Sequence, residues 1–540
     1  MLGRGDAAGL VGWNGCEGDA QRRTGSHGGE SNMAGRCCSA LLWSRLMSNT
    51  TRTPWPDRVR IAAWAALVIA VVWPHLVGFT TDSDAYIDVA RTFLEGRGLA
   101  QSVVDFWRPA VPDPLGLWPP VYPLAIAAFG ALGVALPLAA RLISALSFVL
   151  FALAFHALAR RAGGRPFAFV ATLVVLLGPG LAQAGATAWS EPPYLFLLTL
   201  ALVGAWDLVH DESPSAVEAA ASGALLGLAA DTRYLGVALV PLVFVLIARR
   251  VRRRLLLFWT LGALVPITLW AAHNLVSFGR PFGPGLPQGV RTLPGVLRTI
   301  AGSMRWEFLP PSLALSPLLA YPALALLAAA IVWALRAGGL PRWAALVGLV
   351  QLGSVAFATW GFAINDPQGR FTLVAWPFLG LVACAATRNA IVRAFGDTRA
   401  ATIATAGAAG IALLLAGAGL GTFLGTTIAP PGQLVARRHA QNAMMRLLPA
   451  GRSPVLTDSG HLLRIATGRP SVQVPPPRYR MRPFDETDEV RWKRLGVTHA
   501  LFRDDSRGRL GPWLNARVTG GWVAIDSSAG LVLYQLGPAQ

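Results

Sequence analysis

The chain has little charge. Only 14% of its 540 residues are Asp, Glu, Lys or Arg, while 54% are hydrophobic, and the mean hydropathy is +0.48. Soluble globular domains carry about 25% charged residues, so this balance excludes a soluble enzyme and defines an integral membrane protein. Lysine is nearly absent: Lys493 is the sole one, a compositional habit without functional message. The four cysteines do not support a disulfide scaffold, because Cys16, Cys37 and Cys38 precede the first apolar run and Cys384 lies inside a later one. A secretory n-region and h-region are also missing. Residues 1–46 are Gly-rich and polar and read as a disordered leader or a mis-called start, with Met47 as an alternative start and the first span as an uncleaved anchor.

What is present is a series of apolar runs. A bilayer crossing needs about 20 mostly apolar residues, and on that basis spans are expected near 61–79, 140–159, 167–186, 194–209, 217–231, 235–248, 255–272, 312–335, 343–364, 371–387 and 400–424. That makes about 11 transmembrane helices. The stretch Val121 to Leu136 is short and bracketed by Trp118-Pro119-Pro120 and Pro137, and its assignment decides the side of every later loop.

Cytoplasmic loops hold the excess of Lys and Arg. Treating 121–136 as a helix lying at the interface gathers Arg160, Arg161, Arg165, Arg249, Arg250, Arg252, Arg253, Arg254, Arg336, Arg342, Arg388, Arg393 and Arg399 on one side. The short opposite loops then carry Arg233 and Arg370. The expected topology is N-terminus inside and C-terminus outside. Much of the net charge of +19 is thus accounted for as topogenic arginine, and nucleic-acid binding is not implied.

Three outward segments break the apolar pattern. Residues 80–139 hold the acidic run Asp82-Ser83-Asp84-Ala85-Tyr86, an amphipathic stretch, a polar link with Asp105 and Arg108, and the interfacial helix; sixty residues is too long for an idle connector. Trp189-Ser190-Glu191-Pro192-Pro193-Tyr194 forms a tight loop. Residues 273–311 are rich in Gly and Pro, include Asn274, Arg280, Arg291, Arg298, Arg305 and Glu307, and read as a mobile flap. Beyond Leu424 the composition turns soluble. Helices are expected at 436–448 and 486–495, and strands at 455–457, 471–474, 500–502, 522–525 and 531–536. The domain plan is a transmembrane body over 47–432 and a compact outward α/β domain over 433–540.

The run from Asp82 to Leu99 resembles the first outward loop of the GT-C membrane glycosyltransferases, in the branch holding protein O-mannosyltransferases and aminoarabinose transferases. Further passages resemble that family in order and position: Pro119-Pro120-Val121-Tyr122-Pro123 followed by Arg141-Leu142-Ile143-Ser144, then Ser190-Glu191-Pro192, Asp231-Thr232-Arg233-Tyr234, and Gly369-Arg370-Phe371 with Trp376-Pro377. The tail, with Thr457-Asp458, Thr467-Gly468-Arg469-Pro470 and Gly496-Val497-Thr498-His499-Ala500, is similar to those of bacterial members. Two departures are Ser83, where many relatives have Glu, and Phe371, where Tyr is usual.

The resemblance implies transfer of a sugar from a polyprenyl-phosphate carrier to a lipid, polysaccharide or protein acceptor at the outer face of a bacterial inner membrane, with inversion. An inverting transfer needs a base for the acceptor hydroxyl. Asp82, four residues before Tyr86, is the candidate, with Asp84 as runner-up. A leaving lipid phosphate calls for arginine, and Arg233 and Arg370 stand at outer ends of spans. Glu191 is expected to orient donor or acceptor, and Tyr86 and Asn274 complete the expected substrate-binding set. No metal-ligand spacing surrounds His273, so no metal or other cofactor is expected.

Plainer readings exist for each residue. Asp82 and Asp84 can cap the helix that follows, Arg233 and Arg370 can snorkel to lipid phosphates, and Glu191 can simply solubilise its loop. At the level of the whole chain the competitors are a transporter or flippase of a lipid-linked solute, for which paired repeats are lacking, a polymerase or ligase of lipid-linked glycans, and a scaffold whose tail binds cell-wall polymer. The tail shows no Gly-rich phosphate cradle.

Overall fold

Proline and glycine set where the apolar runs start, break and stop. The computed structural model describes residues 55–105 except 77, 113–115, 118–283, 292–308, 317–362, 370–427 except 397, and, with short gaps, 441–473, 492–503, 522–528 and 531–536. The leader over 1–46, Arg108, Arg291 and most of the expected helix at 486–495 lie outside them.

Helix α1 (Trp55–Val72) leads through a 3-10 turn to α2 (Thr81–Leu94). Thr80 and Ser83 start α2 by exchanging backbone and side-chain hydrogen bonds in a capping box. Short strands β1 (Ala100–Gln101), β2 (Val103–Asp105) and β3 (Asp113–Pro114) follow, and Pro119-Pro120 then opens α3 (Val121–Ala131). This helix of 11 residues rises about 16 Å, roughly half of a hydrocarbon crossing.

The expected spans at 140–159 and 167–186 are one long element, α4 (Leu136–Leu176), broken at Gly164, where φ is 80° and Pro166 follows. Its second half ends at Leu176 because Gly178-Pro179 stops it and starts the separate α5 (Pro179–Ala186). The next helices are α6 (Glu191–His210), α7 (Ala216–Ala230), α8 (Leu239–Ala248) and α9 (Arg253–Phe278). Helix α8 has ten residues, fewer than the span expected there, because a 3-10 turn at Tyr234–Gly236 precedes it.

The described part of the expected flap is more regular than its composition suggested. It comprises the end of α9 and an amphipathic helix, α10 (Leu293–Phe308). Then come α11 (Pro317–Ala337), α12 (Gly339–Phe362), α13 (Trp376–Phe395) and α14 (Arg399–Thr427). Among the described residues six helices, α4, α6, α9, α12, α13 and α14, are long and apolar enough to cross a membrane. Val276, Leu269 and Leu414 are 90%, 68% and 74% exposed, an aliphatic surface suited to lipid and not to water. The chain is a multi-pass membrane protein.

Helices α7 and α9 pack through small residues. A Cβ on Gly223 would stand 2.0 Å from the Trp259 carbonyl oxygen, and one on Gly262 would stand 2.2 Å from that of Ala220. Backbone contact of this kind, with no side chain between, is how helices associate where lipid removes the hydrophobic drive.

Past the spans lie β4 (Val455–Thr457), α15 (Gly460–Thr467), β5 (Ser471–Gln473), β6 (His499–Arg503), β7 (Trp522–Ser528) and β8 (Leu531–Leu536). The five strand positions read from sequence are all strands. Among the described residues the sheet has six, in the order β2-β5-β4-β6-β8-β7, because β2 of the 80–139 segment pairs in parallel with β5, Val103 opposite Ser471. The tail sheet is therefore built from two parts of the chain far apart in sequence.

Candidate functional site

Three short connections come together at one end of the bundle. Ala188 N donates to the Gly78 carbonyl at 2.9 Å, Ser83 Oγ donates to the Ala188 carbonyl at 2.7 Å, and Trp189 Nε1 donates to Thr80 Oγ1 at 3.1 Å. These bonds dock the start of α2 on the loop before α6. From below, Ser144 Oγ donates to the Trp189 carbonyl at 2.8 Å, and Arg141 reaches the Ala186 and Trp73 carbonyls at 3.1 and 3.0 Å. The Arg141-Leu142-Ile143-Ser144 segment is thus a clamp on that loop.

The clamp aims Glu191 at the next connection. Its side chain is fully buried, and one oxygen lies 2.7 Å from Arg233 Nη1 and 2.5 Å from Arg370 Nε. Arg370 Nη1 also pairs with Asp82 at 2.5 Å, across 288 positions of sequence. Arg233 Nη1 donates to Ser190 Oγ at 3.1 Å, and Tyr86 shares a hydrogen bond of 3.2 Å with the same hydroxyl. Arg370 packs over the Trp189 ring at 4.5 Å, and Arg233 lies 5.4 Å from the centre of the Phe371 ring. Five of the seven residues singled out from the sequence, Asp82, Tyr86, Glu191, Arg233 and Arg370, therefore form one connected cluster.

Two carboxylates and two guanidinium groups leave the cluster with no net formal charge. Such groups are costly to bury singly and tolerable when paired and hydrogen-bonded. Burial works against the charge of Arg370, yet Glu191 and Asp82 more than offset it and hold the group above the ordinary arginine value. Burial, with the Asp82 charge beside it, pushes Tyr86 up to about 12, so its hydroxyl is neutral at physiological pH. The Asp82 side chain is 30% exposed and that of Glu191 is 0%: Asp82 is the carboxylate that a ligand can reach.

The contacts just described do not run through Asp84 or Asn274. Two helical positions turn a side chain by about 200°, so Asp84 faces away from Asp82 and is buried, at 4% exposure. Asn274, also buried, donates to the Pro281 carbonyl at 3.1 Å and to Tyr234 Oη at 3.4 Å, in a second group with Trp270, whose Nε1 donates to Tyr234 Oη at 2.9 Å. Among the described residues no group of three or more His, Cys, Asp or Glu side chains is placed to hold a metal ion.

Ser190, Trp189, Ser83 and Thr80 are neighbours of the cluster that the residue-by-residue reading did not select. The signal was present as an ST-turn pattern, Thr80-Thr81-Asp82-Ser83, before an amphipathic run, but its partner loop lies more than a hundred residues away.

The fold that carries this cluster is similar to that of solved membrane glycosyltransferases. Residues 118–275 match the sequence model of the dolichyl-phosphate-mannose-protein mannosyltransferase family. The structure is similar to ArnT from Cupriavidus metallidurans bound to undecaprenyl phosphate, with a TM-score of 0.55 at 16% identity over 89% of this chain and 99% of that one. It is also similar to arabinofuranosyltransferase AftD from mycobacteria, TM-score 0.54 at 18% identity over 90% and 40%. The oligosaccharyltransferase of Archaeoglobus fulgidus in complex with Zn and sulfate gives 0.52 at 14% identity over 88% and 73%. No curated protein matches the sequence. The family resemblance read from the Asp82, Pro119-Pro120, Glu191, Arg233 and Arg370 passages thus holds for the fold.

Proposed function

We propose that the protein is a glycosyltransferase that moves a sugar from a polyprenyl-phosphate carrier to a lipid, polysaccharide or protein acceptor, with inversion, at the outer face of a bacterial inner membrane. The observation that carries this reading is the bridge made by Arg370 between Asp82 and Glu191. It puts the proposed leaving-group binder and the candidate base in direct contact at the more exposed edge of a largely buried, charge-balanced cluster. The arginine-rich connections belong to the opposite ends of the same helices, where Arg161 pairs with Asp207 at 2.6 Å, and their charge favours the cytoplasmic side.

In the reaction the acceptor oxygen attacks C1 of the sugar, the bond from C1 to the phosphate oxygen breaks, and the acceptor proton passes to Asp82. The free polyprenyl phosphate carries the negative charge released. The donor phosphate offers Arg370 an anion that competes with Asp82 for its planar donors. Donor binding then loosens Asp82 from its partner at the moment when a base is required, while Glu191 retains Arg233. Tyr86, neutral and bonded to Ser190, serves as a hydroxyl donor or acceptor at the floor of the site. Asn274 is assigned to a more distant part of the substrate path and Asp84 to support of the helix.

Membranes containing the protein are to be given a panel of radiolabelled polyprenyl-phosphate sugars, with label followed into lipid, polysaccharide and protein fractions. Label in one acceptor fraction that depends on the protein supports the proposal. Absence of transfer from every donor contradicts it.

A further inference from the structure

Helix α2 is gripped on the face opposite its Asp82 face. Asp88, with its side chain fully buried, accepts from Ser102 N at 2.8 Å and from Ser102 Oγ at 2.5 Å. The same carboxylate meets Arg464 Nε of α15 at 3.2 Å, a contact spanning 376 sequence positions. Arg464, whose side chain is 6% exposed, also reaches both oxygens of Glu95 at 3.4 Å. Its backbone carbonyl accepts from Arg91 Nη1 at 3.1 Å. Ser102 leads directly into β2, the strand that joins the tail sheet beside β5. Asp88 is thus a node at which α2, the tail helix and the tail sheet meet.

We propose that Arg464, a residue of the soluble tail, is a positioning residue for sugar transfer, setting the rotation and axial placement of α2 and through it the placement of Asp82 against Arg370. This rests on the function proposed above. Asp82 and Asp88 are six positions apart, about 9 Å along a rigid helix, so a shift at Asp88 is transmitted. Without Arg464, Asp88 keeps its bonds to Ser102 but loses the guanidinium 3.2 Å away that ties it to the tail, and a buried carboxylate with a weakened ion pair draws toward water. The helix turns with it. Displacements near 1 Å in a reacting constellation cost up to about a hundredfold in rate, and a small rotation of α2 falls within that range.

The test uses the full-length protein in nanodiscs. Arg464→Gln is expected to lower kcat about tenfold with the KM for donor unchanged, to be largely rescued by Arg464→Lys, and to speed amide exchange across 81–94 while 531–536 keeps its protection. Arg469→Gln is the control. Arg469 is a second buried arginine of the tail and bonds the Pro449 and Ser453 carbonyls at 2.8 and 2.9 Å, so its loss weakens the tail fold without touching α2. Wild-type kcat in Arg464→Gln overturns the proposal. So does an equal fall in both variants with exchange across 81–94 unchanged. A wild-type protein that transfers nothing sinks the proposed function, and this inference with it.

Discussion

One helix, α2, has two acidic faces that do different work. Asp82 and Tyr86, four positions apart, share a face that meets Arg370 and Ser190. Asp88 and Glu95 share another, which meets Arg464. In sequence these carboxylates form one acidic run, and nothing in their spacing marks which is chemical. The helical period separates them, and exposure ranks them: Asp82 is open to ligand at its 30% exposed side chain, whereas Asp88 is sealed between protein elements. An acidic run at a membrane edge therefore places the proposed base and the contacts that fasten its helix on one short segment.

The largest expected effect comes from removing the residue common to both carboxylates of the Arg370 cluster, Asp82 and Glu191. Arg370→Gln leaves Asp82 without its ion pair and Glu191 with Arg233 alone. Breaking a buried pair costs about 3–5 kcal/mol, and losing one charge-stabilising donor costs about 10²–10³ in kcat. Transfer should fall to background with a clear drop in thermal stability, and Arg370→Lys, which keeps charge but not the planar fork, should recover stability more than rate. Retention of wild-type transfer by Arg370→Gln would break the contrast between the two faces.

Asp84→Asn sharpens the contrast. Asp84 lies about 200° round α2 from Asp82, so transfer should stay within about tenfold of wild type, well short of the 10²–10⁴ typical of a lost general base. A loss beyond a hundredfold, read in the same assay at matched expression, would move the base from Asp82 to Asp84.

The smallest effect concerns the tail alone. Burial, with Arg469 adjacent, holds His499 below the ordinary histidine value. A depressed value means that the unfolded chain binds the proton more readily. The stability contribution is present above the unfolded value of 6.5 and is lost as pH falls through the folded value. Thermal melts of the full protein should show the tail transition weakening below about pH 6.5, and His499→Gln should flatten that dependence by a fraction of a degree to a few degrees. Unchanged pH dependence in the variant would mean that His499 does not carry it.

Much of this architecture was legible because lipid and turn chemistry write local signals. Pro119-Pro120 marks a helix start that the structure retains, and alternating residues at 531–536 form β8 with the expected bounds, whereas Gly178-Pro179 and Pro192-Pro193 open helices where a continuous span and a loop were expected. Composition misjudged the Gly- and Pro-rich segment after α9, where Leu293–Phe308 is helical: Pro294-Gly295 fall in its first turn, where proline is tolerated, and leave the amphipathic stretch after them intact. The candidate site was legible as residue types at span ends and not as a geometry. The contact of Asp82 with Arg370 closes a loop of 288 positions, and no local pattern reports such a closure. The tail was missed as a partner of α2 for the same reason. Ser102 to Asp105 is too short to be read as a strand until the sheet that accepts it exists, and Arg464 on an eight-residue helix looks like any solvated arginine.

The measurement that tests the central claim most directly is sugar transfer by Asp82→Asn, made together with binding of unglycosylated polyprenyl phosphate to the same preparation. The replacement keeps the shape and removes the base. Binding of the lipid phosphate should persist, since Arg233 and Arg370 remain, while transfer falls by about 10²–10⁴. Transfer at the wild-type rate with Asn at position 82 would contradict the assignment of the reactive face of α2.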